Sequence, residues 1–443
     1  MSKKYTVYSL ALFAGCCAAT ISFFMPFFPY GIDSANYIEQ ARSFIAHGVF
    51  EVSPNYRMWG AGLVSVPDKL FPPGYSLLIV ISSFLLQLPV DVIAPFLSLA
   101  ALILLPIIIV LAFHRVLGLL PALWIAVLVV LTPTAVRHGY IAYSDTLSLV
   151  LVIYCIHRLL VASIKPIDWF YLGLLTGISY LLRNANLGLL LSITLYLLWR
   201  YLVEPENRKQ KVINGFFVWL GGNALIIVPL LIRNLVVFGK MQPYWMDPSS
   251  VSLSENIHDY FQAQLDTLIA LSDLDKLLAG SLWEIILLFM LLAVLIHQVI
   301  TTWQRWQKIE QQTFFISVVY VVIGAAMVIV ARTKYEWGVH INARYALPYS
   351  CFIFVALVII CKNTTFNINT RYFGLGLAVT LLITRVYELP KFYEHTGYYQ
   401  YHQYNISVAK QINTNKQAMC SYSDGRVIES DYAFIYRILC EKP

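Results

Sequence analysis

Six short stretches of this 443-residue chain carry side chains that could do chemistry. In Tyr30-Gly31-Ile32-Asp33-Ser34-Ala35-Asn36-Tyr37 a carboxylate falls at, or within one residue of, the start of a helix. That helix is read from Ala35, Ile38, Ala41, Phe44 and Ile45, which recur at three- and four-residue intervals, an amphipathic pattern suited to a membrane surface. Spacing allows Asp33 to be a helix cap or a general base. Phe71-Pro72-Pro73-Gly74-Tyr75 reads as a proline-fixed helix start, with Lys69 just before it. Tyr143-Ser144-Asp145-Thr146 sets a second acid at the mouth of an apolar run. Arginines follow in Tyr180-Leu181-Leu182-Arg183-Asn184, in Pro229-Leu230-Leu231-Ile232-Arg233-Asn234 and in Asn342-Ala343-Arg344-Tyr345. One arginine at the end of an apolar run is more often an interfacial anchor than a ligand-binder. Carboxylates beside guanidinium groups, if they share one cleft, suit a proton acceptor working next to a phosphate.

The elements that must position these residues are membrane helices. Hydrophobic residues make up 59% of the chain and charged ones 12%, against roughly 25% charged in soluble domains, which excludes a water-soluble globule. Seven cysteines exclude a small disulfide scaffold, and scattered basic residues exclude a nucleic-acid stripe. The apolar runs predict an all-α integral membrane protein of about 11 spans. These are 5–25, 94–113, 117–136, 146–162, 168–182, 187–201, 212–232, 280–299, 313–331, 345–361 and 371–387. The run 73–88 is short and proline-flanked. If it dips in without crossing, the short basic loops around Arg115, Arg158 and Lys165, 200–211, Arg305 and Lys308, and 362–371 all fall inside. We adopt that solution. It makes 26–72 a large external loop with juxtamembrane helices, puts all six stretches on the outer face, and divides the chain into a multi-span unit, 1–388, and a small external tail, 389–443. The first span is read as uncleaved, and a Cys420–Cys440 disulfide is plausible in the tail.

The order of these motifs resembles the polytopic GT-C glycosyltransferases that use polyprenyl-phosphate sugars, such as the protein mannosyltransferases and the lipid A aminoarabinose transferase. The match lies in Asp33 with Tyr37, in Pro72-Pro73-Gly74-Tyr75, in Asp145, in the Gly173-to-Arg183 stretch, in Pro229, Arg233, Asn234 and Gly239, and in Arg344, Tyr345 and Pro348. Two positions depart from the family. Ser34 stands where many relatives carry a second acid, and Phe71-Pro72 stand where the aminoarabinose transferase has a Lys, a role Lys69 could fill.

The resemblance implies inverting sugar transfer, on the outer face, from a polyprenyl-phosphate donor to a hydroxyl of a glycan, lipid or protein. Asp33 is the expected base, Asp145 holds the acceptor or a basic neighbour, and Arg344 with Arg183 binds the donor phosphate. Tyr37, Lys69, Tyr345 and Arg233 support them. No cofactor is expected. The nine histidines show no zinc spacing, although the family includes metal-dependent members, and no G-x-x-x-x-G-K-[ST] loop occurs. A bacterial cytoplasmic membrane is the expected location, because no eukaryotic retention signal ends the chain. The competing readings are a transporter or flippase, with Glu284, His297 and His157 near span ends, and a membrane scaffold needing none of the outer charges.

Overall fold

A computed structural model of the chain describes residues 3–25, 28–53, 58–60, 65–161, 165–243, 246–269, 282–337, 340–364, 376, 378–388, 398–414, 427–429 and 433–440. Helix α1 (Lys3–Phe24) leads into α2 (Ile32–His47), then α3 (Gly74–Leu86), α4 (Val90–Leu117), α5 (Leu119–Val130), α6 (Pro133–His138), α7 (Asp145–Val161), α8 (Pro166–Leu182) and α9 (Leu187–Val203). After them come α10 (Glu206–Phe238), α11 (Leu253–Ile269), α12 (Leu282–Thr302), α13 (Lys308–Lys334), α14 (Ala343–Lys362), α15 (Tyr398–Thr414) and α16 (Ala433–Leu439). Strands are minor. β1 (Glu51–Val52) pairs antiparallel with β3 (Val66–Pro67), and β2 (Met58–Gly60) with β4 (Val427–Glu429).

Among the described residues, six helical stretches are long and apolar enough to cross a membrane: Lys4–Phe24, Val90–Leu117, Asn184–Val203, Glu206–Phe238, Lys308–Lys334 and Ala343–Lys362. The chain is a multi-pass membrane protein. The eleven expected spans also include α5, α7, α8, α12 and 371–387; of the last, residues 376 and 378–387 are described, and they are helical. Local chemistry sets the ends. Asp91 opens α4 and His114 with Arg115 closes it, matching the helix dipole. The Glu310 side chain accepts from the Gln307 N–H at 2.9 Å where α13 begins. One expectation fails here. The run 117–136 is not one helix, because α5 stops at Val130 and Thr132, with Pro133 after it, caps the separate short helix α6.

Contacts sort the helices by their ends. One end of the bundle is basic and tied by ion pairs. Glu204, its side chain fully buried, meets Arg200 and Lys308 at 2.7 Å each, Lys362 meets Glu310 at 2.6 Å, and Arg158 meets Asp168 at 3.3 Å. The opposite end gathers the starts of α2, α4, α7, α9 and α14 and the close of α8. Helix α3 belongs wholly to this second end. Its first-turn Tyr75 hydroxyl donates to the Ala94 carbonyl at 2.8 Å, while Asp91, just past its last turn, pairs with Arg42 of α2 at 3.6 Å. Thirteen residues span only about 20 Å, and the chain on either side of α3, Tyr75 at Ala94 and Asp91 at Arg42, stays at this end.

The main core lies among the long helices, with Phe113, Ile153, Tyr196, Ile316 and Phe352 buried in it. A second apolar cluster joins Ala35, Tyr37, Ile38 and Ala41 of α2 and Tyr75 and Ile79 of α3 to Ile412 of α15 and Phe434, Ile435 and Ile438 of α16. The first half of α2 is therefore buried on all sides, while its last turn is exposed. Every residue from Ser34 to Ala41 is buried, because the tail covers the side turned away from the bundle. Cys440 is disulfide-bonded; Cys420, its expected partner, lies outside the described residues.

Candidate active site

Four charged side chains, from four helix termini up to 311 positions apart, meet at the end of the bundle that holds α3. Asp33 lies in the first turn of α2, where the helix dipole favours a carboxylate, but it is not the cap. Gly31 occupies the cap position, and the Ser34 hydroxyl accepts the Gly31 N–H at 2.9 Å. The Asp33 carboxylate is thereby left to accept from Arg344 Nη2 at 2.6 Å. Asp145 opens α7, and its two oxygens accept from Arg344 Nε at 3.1 Å and Nη2 at 3.0 Å. Arg183, at the C-terminal cap of α8, pairs with the same Asp145. Arg344 enters α14 just after Asn342, whose side-chain oxygen accepts the Arg344 N–H at 3.1 Å.

The quartet is formally neutral, two carboxylates against two guanidiniums. Its members differ in access. The Asp145 side chain is 6% exposed and Asp33 26%, with Arg344 and Arg183 between them at 17% and 19%. Asp145 is thus the buried hub of the ion pairs, while Asp33 is the open acid at their edge.

Aromatic rings hold this polar knot in place. The Arg344 guanidinium lies 4.0 Å from the centre of the Tyr143 ring, and His138 stacks on that ring at 5.9 Å. Burial, then Arg137 and Arg344, push the His138 pKa down to about 3, so its ring is neutral and Nδ1 donates to the Thr134 carbonyl at 2.9 Å. Tyr37 is buried between Phe71 and Tyr75, and its hydroxyl meets the Ser144 hydroxyl at 3.0 Å. Burial and the nearby Asp33 charge raise the Tyr37 pKa, so it is a neutral spacer between α2 and the loop before α7. Tyr345 packs on Trp337 at 4.9 Å, with its ring centre 6.0 Å from the Arg344 guanidinium.

The structure therefore brings Asp33, Asp145, Arg183, Arg344, Tyr37 and Tyr345 together. Two expected residues stand apart. Arg233 donates to its neighbour Asn234 at 3.0 Å and lies over Phe238, and Lys69 is exposed in the loop before α3. The buried charge in that loop is Asp68, which accepts from Gln40 Nε2 at 2.6 Å and from the Leu70 N–H at 2.7 Å. Sequence reasoning also missed Tyr143, which was visible next to Asp145, and Arg437, for which no local signal exists. Among the described residues no three His, Cys, Asp or Glu side chains come together as a metal-ligand set. Arg344 bridges the two acids, placing positive charge where a shared cation would have to stand, so the quartet does not fit a metal site.

The fold is similar to that of solved GT-C membrane glycosyltransferases. Among solved structures, ArnT from Cupriavidus metallidurans bound to undecaprenyl phosphate superposes with a TM-score of 0.52 at 12% identity, over 99% of this chain and 77% of that one. The archaeal oligosaccharyltransferase AglB from Archaeoglobus fulgidus, in complex with an inhibitory peptide and a dolichol-phosphate, gives a TM-score of 0.51 at 13% identity, over 87% of this chain. This chain spans only 55% of the length of that oligosaccharyltransferase. No family model and no curated protein matches the sequence.

Proposed function

We propose that this chain is a membrane glycosyltransferase that moves a sugar from a polyprenyl-phosphate donor to an acceptor hydroxyl, with inversion, on the outer face of a bacterial cytoplasmic membrane. The observation that carries the reading is the quartet, in which the most exposed member, the Asp33 carboxylate, adjoins half-buried guanidiniums at the non-basic end of the bundle. GT-C neighbours bound to undecaprenyl phosphate and dolichol-phosphate support the lipid class of the donor.

The acceptor oxygen attacks the anomeric carbon while its proton passes to Asp33, a general-base task worth roughly 10²–10⁴-fold in rate. The bond from that carbon to the phosphate oxygen breaks, and the phosphate leaves with the electron pair. Arg344 and Arg183 stabilise the added negative charge. Asp145 holds both guanidiniums in place before the donor arrives. Buried between them, it is neither base nor nucleophile, and a single base with one displacement gives inversion. The donor brings its own phosphate leaving group, so the scheme needs no nucleotide.

The basic loops at the far end support a cytoplasmic side there and an outer side for the quartet. Lys69 and Arg233 rim the same end as supporting residues, the unit 1–388 carries the reaction, and the tail 389–443 covers it. The test is Asp33→Asn, which abolishes transfer while the purified protein still binds polyprenyl phosphate. Undiminished transfer overturns the mechanism.

A further inference from the structure

Helix α2 carries the open carboxylate, yet nothing within α2 fixes where that carboxylate points. Its inner side is tied to the bundle by Asp33, by Tyr37 on Ser144, and by Gln40 on Asp68 and Ser76. Its outer side is tied to α16, the last helix of the tail. Arg437, with a fully buried side chain, donates from Nε to Glu39 Oε1 at 2.8 Å and from Nη2 to Glu39 Oε2 at 2.7 Å. The same Nη2 reaches Asn36 Oδ1 at 2.7 Å. Asn36 lies one helical turn from Asp33, at the spacing where side chains are neighbours.

The exchange is reciprocal. Arg42 of α2 reaches the last turn of α16, donating to the Arg437 carbonyl at 3.1 Å and the Ile438 carbonyl at 2.8 Å, a cation at a helix C-terminus. Glu39 also accepts from the Ser53 N–H at 2.7 Å, which ties the loop after α2 into the same knot. One further link keeps the tail there: strand β4 pairs with β2 of the first loop, Met58 opposite Glu429. Charges balance within the knot, Arg437 against Glu39 and Arg42 against Asp91.

We propose that Arg437 is a positioning residue for the transfer reaction. Through Glu39 and Asn36 it clamps α2 between the bundle and the tail, so that Asp33 stands at its distance from Arg344. This rests on the reading of Asp33 as the base. A carboxylate displaced by about 1 Å from a reacting hydroxyl loses on the order of 10²-fold in rate, while donor binding, which uses Arg344 and Arg183, is untouched.

The experiment compares the full-length protein with Arg437→Lys and Glu39→Gln in lipid nanodiscs. Hydrogen exchange of the α2 amides and turnover with a polyprenyl-phosphate sugar are both measured. Lysine keeps the charge but loses the forked contact to Glu39 and Asn36. Exchange over residues 34–41 is expected to rise at least tenfold in both variants. In Arg437→Lys kcat is expected to fall on the order of 10²-fold with the donor KM unchanged, and in Glu39→Gln at least severalfold. Unchanged exchange overturns the clamp, whatever the protein transfers. Raised exchange with wild-type kcat overturns the positioning role and leaves a purely structural contact. If the wild-type protein transfers no sugar, the reading of the site fails and the exchange result still decides the clamp.

Discussion

Asp33 and Asp145 are both acids on Arg344, but the structure gives them opposite parts, and replacing each by asparagine separates those parts. Asp33→Asn removes one bond, the 2.6 Å contact from Arg344 Nη2. Arg344 keeps its bonds of 3.1 and 3.0 Å to Asp145, so no guanidinium is left without a carboxylate. With 26% of its side chain exposed, Asp33 sits nearer the regime of exposed ion pairs, about 0–1 kcal/mol, than that of buried ones. The chemical cost is larger. Loss of the base takes roughly 10²–10⁴-fold from turnover, or about 3–5 kcal/mol of barrier. Asp145→Asn acts on the fold instead. Asp145 is 6% exposed and meets both guanidiniums, and among the described residues it is the one carboxylate on Arg183. Removing one partner of such a buried network costs about 3–5 kcal/mol. The assay is kcat with a polyprenyl-phosphate sugar, set beside the thermal midpoint in detergent. Asp33→Asn should unfold near the wild-type temperature and be almost inactive, while Asp145→Asn should unfold well below it. Wild-type turnover in Asp33→Asn together with a wild-type midpoint in Asp145→Asn would refute the division of roles.

Two further outcomes follow from the site's surroundings. His138, neutral in the fold with its pKa pushed down to about 3, takes up a proton near its ordinary 6.5 only on unfolding, so the stability it allows is complete above that value and is lost as pH falls below it. By pH 5 the loss is about 2 kcal/mol, and His138→Gln should flatten the fall in thermal midpoint between pH 7 and 5; an unchanged slope contradicts a neutral buried His138. Sidedness is read from Gln87→Cys, on a background with the exposed Cys16 and Cys361 replaced, in intact cells. An impermeant thiol reagent should label it from outside, and labelling from inside alone would overturn the orientation.

How legible each part was depends on how far its physics reaches along the chain. The helices around the quartet were readable because apolar length and proline or acid at a terminus are local signals. That 73–88 does not cross is an expectation drawn from charge in distant loops, which no signal within the run itself carries. Asp33, Asp145, Arg183 and Arg344 were legible as a set, because all four stand at helix ends and alternation of the helices brings those ends together. Arg233 matches a motif as well as they do, yet it pairs with its own neighbour Asn234, since motif spacing does not say which way a side chain turns. Lys69 was named, but its neighbour Asp68 is the residue the fold buries. The burial of α2 on both sides could not be read from its amphipathic pattern, because the covering surface comes from residues about 400 positions later. The break at Thr132 was a local signal overlooked, a capping threonine and a proline inside an apolar run.

The most direct test is to supply the purified protein with a panel of polyprenyl-phosphate sugars and a hydroxyl acceptor, and to follow both products. The account predicts release of free polyprenyl phosphate in step with a glycoside of inverted anomeric configuration, from at least one lipid-linked donor. Transfer from nucleotide sugars in preference to every lipid-linked one, or a product of retained configuration, would contradict it.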